Sequence, residues 1–248
     1  ITNFFLFWCI NSLMDDYLNI ILESFRLILK FDNELLEIIT LSLRISLIAL
    51  CVSIFISIPL AALFAVTSFF GKGFFILISN SLMGLPPVLV GLVLYIIFSS
   101  SGPLGYLEIL YTPTIMIIAQ VILIFPIVFS LSYQVLREIL DEYDELLKSL
   151  KANISQKVIT ITWDARYSLL TCILAGLGRA MSEVGAIIIV GGNIAHLTRV
   201  MTTSIALETS KGNLELAISL GIILILISMF LNSLVYSLKV IAKKYSYD

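Results

Sequence analysis

Between Arg44 and Lys72 the sequence carries no charged residue, and between Lys72 and Glu108 it again carries none. A helix needs about 20 mostly apolar residues to cross the hydrocarbon of a bilayer. Two such stretches in succession leave a chain of 248 residues little choice of solvent. The composition agrees: 59% of the residues are hydrophobic and 13% charged. A soluble domain carries about 45–50% apolar and about 25% charged residues. The expected fold is therefore an all-α integral membrane protein. The net charge of −2 says nothing specific about partners, and Cys9, Cys51 and Cys172 lie in apolar runs and read as small buried hydrophobes, without a disulfide or zinc pattern.

Five spans are predicted, at about 45–70, 74–99, 112–135, 167–193 and 216–238, within a membrane domain over 38–241 and followed by a tail at 242–248. The second span is expected to kink near Pro86-Pro87, and the third contains Pro126. Such prolines are tolerated where neighbouring groups satisfy the freed carbonyls. Residues 14–37 read as an amphipathic segment along the outer surface, with Leu22, Phe25, Leu29 and Leu36 roughly on one face. Residues 1–13 are apolar but too short to span. They read as an interfacial segment or, the preferred reading, as a non-native extension upstream of a natural start at Met14.

Lys72, the residues Arg137, Lys148, Lys151, Lys157 and Arg166, and the terminal Lys239, Lys243 and Lys244 all fall on one side of a five-span chain. Positive charge in short loops marks the cytoplasmic side. That predicts the N-terminus outside and the C-terminus inside, although Arg26, Lys30 and Arg44 count against it.

Two segments invite a functional reading. Residues 137–166 mix both signs of charge with leucines and isoleucines at helical spacing, which suits short helices lying across the cytoplasmic face. They act either as a solvated connector or as a dock for a soluble partner. The fourth span carries Gly176-Leu-Gly-Arg-Ala-Met-Ser-Glu-Val-Gly-Ala186, in which Gly178, Ser182 and Ala186 form a small-residue stripe. Arg179 and Glu183, also four apart, either lock the helix as an ion pair or line the gate of a wet path. Gly191-Gly192-Asn193 should end that helix, as glycine commonly does. The hydroxyl-rich stretch from Thr198 to Gly212 is expected to form a short helix at the outer mouth, and His196 is read simply as a loop residue. No G-x-x-x-x-G-K-[ST], HExxH or GxSxG occurs, so no nucleotide site or hydrolase is expected.

Met83-Gly-Leu-Pro-Pro-Val-Leu-Val-Gly91, Ser101-Gly-Pro-Leu-Gly105, Gly178-Arg-Ala-Met-Ser-Glu-Val-Gly-Ala186, Gly191-Gly-Asn193 and Thr198-Arg-Val-Met-Thr-Thr203 occur in this order, followed by Ala206-Leu-Glu-Thr-Ser-Lys-Gly212. In these motifs the chain resembles the type I permease subunits of ATP-binding-cassette importers, in the molybdate, tungstate and sulfate branch and closest to the tungstate-specific permeases. The resemblance covers nearly everything from Met14 onward. It implies docking of an ATPase subunit on an EAA-x3-G-x9-I-x-L-P pattern. Here Glu145 holds the glutamate position, Leu146 and Leu147 replace the alanines, Lys151 the glycine, and Ile161 keeps the isoleucine. Trp163 and Asp164 stand for the final Leu and Pro. Lys148, Leu150 and Ala152 complete the implied dock.

The resemblance further implies a second copy of the chain, two ATPase subunits that use ATP and Mg, an extracytoplasmic oxyanion-binding protein, and a prokaryotic cytoplasmic membrane. Membrane lipid surrounds the chain, no cofactor is bound by it, and no nucleic acid is expected. Arg179, Ser182, Glu183, Gly185, Asn193, Thr202 and Thr203 are the residues expected at the path or gate. A molybdate or sulfate permease, an ion-coupled secondary carrier and a structural membrane anchor are the alternatives.

Overall fold

The computed structural model describes Arg26 and residues 33–244. The N-terminal extension and nearly all of the amphipathic segment, Cys9 included, lie outside the described residues. The described residues form nine α-helices and a single 3-10 turn: α1 Asn33–Val66, α2 Lys72–Leu82, α3 Pro87–Phe98, the turn Gly105–Leu107, α4 Pro113–Ser149, α5 Ile154–Asp164, α6 Arg166–Ser182, α7 Gly185–Gly191, α8 Met201–Lys211 and α9 Leu214–Lys244. Three helices, α1, α4 and α9, are long and apolar enough to cross a membrane alone, and two bent pairs, α2–α3 and α5–α6, bring the count to as many as five. Below, "upper" denotes the end where α1 begins and "lower" the end where it closes.

The α1–α4 pair is the spine. Beyond Leu35, Ile38, Ile45 and Leu50, the buried face of α1 is made of small side chains: Ser42, Ser46, Ala49, Ser53, Ser57, Ala61, Ala62 and Ala65. Helices in lipid gain nothing from hiding apolar surface from one another, so they associate where small residues let the backbones come close. Ser57 donates from Oγ to the Phe125 carbonyl at 3.3 Å, next to Pro126 in α4. At the lower end Phe64, Phe75, Phe125 and Phe129 pack ring against ring and fix α2 on the spine.

Four expectations about the spans are corrected. The first helix begins at Asn33 rather than near residue 45, so Leu36 belongs to it and not to a separate surface helix. Its polar start is held at the upper end by ion pairs described below. The second span bends where the kink was expected but breaks there outright, α2 and α3 meeting at 105°. Leu85 and Pro86 each precede a proline, a position disfavouring helical backbone. Pro86 is extended and Pro87 opens α3 at the first helical position, where its missing N–H costs nothing. The third helix does not stop near residue 135 but continues unbroken to Ser149, taking much of the expected loop into itself. Its Leu136, Leu140 and Leu147 pack with Ala61, Ala62, Ala65, Ile161 and Leu169. The stretch expected as a fourth span is two helices, α6 and α7, divided at Glu183 and Val184, and the apolar length of α6 is extended instead by α5, which meets it at 73°. Cys51, expected inside, is exposed on α1, while Cys172 is buried.

Candidate functional site: the divided fourth span

Dividing a helix in the membrane leaves carbonyls and N–H groups that water cannot satisfy. Side chains from three other helices meet this need. The Ala180 carbonyl, near the end of α6, accepts from Gln120 Nε2 of α4 at 3.3 Å and from Ser46 Oγ of α1 at 3.4 Å. Glu183 Oε1 accepts the Ala186 N–H at 3.0 Å and so caps α7. The Glu183 carbonyl accepts from Thr202 Oγ1 of α8 at 2.8 Å, and Ser42 Oγ of α1 accepts the Met201 N–H at 2.7 Å. The break is therefore a knot joining α1, α4, α6, α7 and α8.

Arg179 and Glu183 form an ion pair across the break, with Arg179 Nη2 and Glu183 Oε2 3.1 Å apart. Glu183 is 2% exposed and Arg179 27%. A carboxylate so deep persists only with a cation and donors around it. Of the two sequence readings for this pair, the ion pair is present. It also closes the break, which makes Glu183 a residue of the junction and not of a continuous helix.

The same break pairs two half-helices. Gly91 of α3 faces α7 so closely that a Cβ there would sit 2.9 Å from the Ala186 Cα. Gly185 is close to Val88 in the same contact. α7 closes at Gly192, whose φ of 69° suits glycine alone without strain. The following turn is tightly tied. Thr198 Oγ1 donates to the Gly191 carbonyl and accepts the Ile194 N–H, and Thr203 Oγ1 donates to Asn193 Oδ1 at 2.8 Å.

The expected gate residues are thus not one cluster with one role. Asn193 and Thr203 satisfy each other, and Thr203 is fully buried. Thr202 serves the break, Gly185 the α3–α7 contact. Ser182 is exposed and donates to the Arg179 carbonyl. The stripe Gly178, Ser182 and Ala186 does not continue as one face, since Ala186 belongs to α7 and is buried against α3. What α6 leaves exposed is Ser168, Thr171, Ala175, Gly178 and Ser182, a face of hydroxyls and small side chains. α9 exposes Ile225, Leu226, Met229, Phe230 and Leu234, and its Ile225 and Met229 line one groove with Gly178 and Ser182 of α6. Sequence reasoning missed the upper part of the knot entirely: Ser42, Ser46 and Gln120 carried no signal beyond polarity within an apolar run.

His196 is more than a loop residue. Its Nδ1 lies 2.7 Å from Glu37 Oε2, and Arg199 Nη1 lies 3.3 Å from Glu34 Oε1. These pairs hold the turn after α7 to the first turns of α1. The hydrogen bond to Glu37, and then its charge, push the His196 imidazole above its ordinary value.

At the lower end, α4 and α5 make an elbow. Asn153 caps α5 in a reciprocal box: its Oδ1 accepts the Gln156 N–H, and Gln156 Oε1 accepts the Asn153 N–H, both at 2.9 Å. Lys151, standing where the permease pattern has glycine, has a φ of 50°. The position requires the left-handed conformation that glycine adopts freely and lysine does not. Of the expected docking residues, Leu146 and Leu150 are exposed, as are Glu145, Lys148 and Lys151. Ala152 is half-buried. Leu147 and Ile161 are packed inside the elbow and present no surface to a partner.

The chain is 41% identical over 223 residues to the tungstate uptake system permease protein TupB of Peptoclostridium acidaminophilum, covering 88% of this chain and 98% of that protein. It belongs to this family of ABC transporter permeases. A probable anion ABC transporter permease of Haloferax volcanii is 36% identical over 81% of this chain and 88% of its own length. The TupB of Campylobacter jejuni is 39% identical over 68% of this chain and 70% of its own length. No protein-family model matches the chain. The permease is accordingly a multi-pass integral membrane protein, and the divided spans belong to a transport subunit.

Proposed function

We propose that this permease is the pore subunit of an ATP-binding-cassette importer that carries tungstate into the cytoplasm by alternating access. The observation carrying the reading is the near full-length identity to a permease named for tungstate uptake. The open face of α6 supports the path. A dianion in hydrocarbon is prohibitively costly unless hydrated or hydrogen-bonded, and Ser168, Thr171, Gly178 and Ser182 offer hydroxyls and room for water. Two copies, related by an axis facing this stripe, would enclose a wetted path that one copy leaves open. Arg179 is engaged by Glu183, so it tempers the field of the path without trapping a dianion.

The elbow is the surface we assign to a separate ATPase subunit, which hydrolyses ATP with Mg. Leu146 and Leu150 are 53% and 68% exposed there, flanked by Glu145, Lys148 and Lys151. Lys72, Arg137, Lys157 and Arg166 lie toward the same end, which by the positive-inside bias faces the cytoplasm of a prokaryotic inner membrane, with the N-terminus outside. An extracytoplasmic binding protein would deliver the oxyanion at the upper end.

Reconstitution of the permease with its ATPase and binding protein in vesicles tests this. ATP-dependent tungstate uptake that excess molybdate and sulfate suppress only weakly is the expected result. Uptake suppressed first by molybdate or by sulfate would reassign the substrate. Uptake that needs no ATPase, and falls with an uncoupler, would make the chain an ion-coupled carrier.

A further inference from the structure

Within the knot lies a small cavity, lined by Ser42, Ser46, Gln120, Glu183 and Thr202 together with apolar side chains that include Met181 and Met201. It offers about 10 Å³ of room, about what one water molecule occupies. Two oxygens on its lining residues are buried without a hydrogen-bond partner: Gln120 Oε1 and Glu183 Oε2. Gln120 and Glu183 are each 2% exposed. Glu183 Oε2 faces Arg179 as an ion pair, but without the alignment of a hydrogen bond. Gln120 has both of its donated bonds directed elsewhere, to Ser46 and Ala180.

A buried acceptor that receives no donor costs about 1–3 kcal/mol; Gln120 Oε1 is in that position, and Glu183 Oε2 has its ion pair with Arg179 but no hydrogen bond. Both oxygens are acceptors, so the site calls for a donor. An oxyanion would be repelled from it, which separates this site from any substrate path. A hydrated cation is too large for it. We propose that one structural water occupies the cavity and donates to Gln120 Oε1 and Glu183 Oε2, and that Gln120 is the positioning residue of this hydrated hinge.

The chemistry of the break favours such a water. Gln120 sits on the spine, Glu183 on the α6–α7 junction, and Thr202 brings in α8. A direct contact between spine and junction would fix their spacing, whereas a water bridge is nearly as favourable as a direct hydrogen bond and tolerates small shifts. The fourth span can then flex at Glu183 without stranding the Ala180 carbonyl or the Ala186 N–H. The hinge role rests on the transport reading, but the water site does not.

Radiolytic hydroxyl footprinting tests it on the permease in lipid nanodiscs with its co-purified ATPase, without nucleotide. Met201 and Met116 are both fully buried, and only Met201 lines the cavity, Met116 lying in an apolar cluster. Met201 should oxidise several-fold faster than Met116, and Gln120→Leu should bring it down to the Met116 rate. An unchanged Met116 rate in Gln120→Leu guards against a general loss of folding in that variant. Equal rates for the two methionines in the wild type would overturn the proposal, as would a fast Met201 unaffected by Gln120→Leu. Neither result depends on which ion, if any, the complex transports.

Discussion

The Arg179–Glu183 pair makes an asymmetric prediction. Glu183 is 2% exposed and Arg179 27%. Arg179→Met removes the cation and leaves a carboxylate deep in the fold, a loss that costs about 3–5 kcal/mol when a buried pair is broken from one side. Glu183→Gln removes the charge instead. The glutamine oxygen can still accept the Ala186 N–H that caps α7, and the partly exposed Arg179 can turn its head toward water. That variant should cost about 1 kcal/mol, the scale of one weakened hydrogen bond. For a chain of this size 1 kcal/mol corresponds to about 2–4 °C. Arg179→Met should thus lower the melting midpoint by on the order of 10 °C, and Glu183→Gln by a few degrees. The double variant should resemble Glu183→Gln, because the stranded charge is gone. Fluorescence-detected size exclusion after graded heating of the solubilised permease reads all three. A Glu183→Gln variant as damaged as Arg179→Met would refute the argument, since the cap and not the charge would then dominate.

Three further outcomes follow from other parts of the molecule. Lys151→Gly should stabilise the elbow by about 1 kcal/mol, because lysine is held at a left-handed φ that glycine adopts without strain; an unchanged or lower melting midpoint would show that the lysine side chain contributes more than its backbone costs. Leu150→Glu should abolish co-purification of the ATPase with little change in melting, whereas Leu147→Glu should destabilise the chain itself, since Leu150 is exposed and Leu147 packs inside. The His196–Glu37 pair should hold the turn after α7 below about pH 6.5 and release it as pH rises through the raised His196 value; hydrogen exchange over residues 193–199, set against His196→Gln, should show the wild type losing extra protection on the alkaline side, and matching profiles would rule the latch out.

How much of this was legible beforehand varies from element to element. The uncharged runs after Arg44 and Lys72 made the membrane unavoidable, and Gly192 announced the end of α7. The start of α1 was misjudged because Glu34, Glu37 and Arg44 look like the end of a span. They are tolerated at the upper end, where His196 and Arg199 meet two of them. The continuation of α4 past residue 135 was hidden by its charges, which read as a loop until Leu136, Leu140 and Leu147 are seen packing on α1 and α6. At the candidate site, Arg179 and Glu183 stood out because ions are rare in a span. Gln120, Ser42 and Ser46 did not, because a single hydroxyl or amide in an apolar run gives no sign of the carbonyl it will meet.

By itself the sequence determined the solvent and the helical class, because apolar length and charge spacing are local properties. Only the tertiary structure decided that the fourth span is divided, and what holds the division open. Ala180 lies 60 residues from Gln120 and 134 from Ser46. A broken helix in the membrane persists only where such distant side chains take up its freed backbone groups, and no local pattern records their meeting.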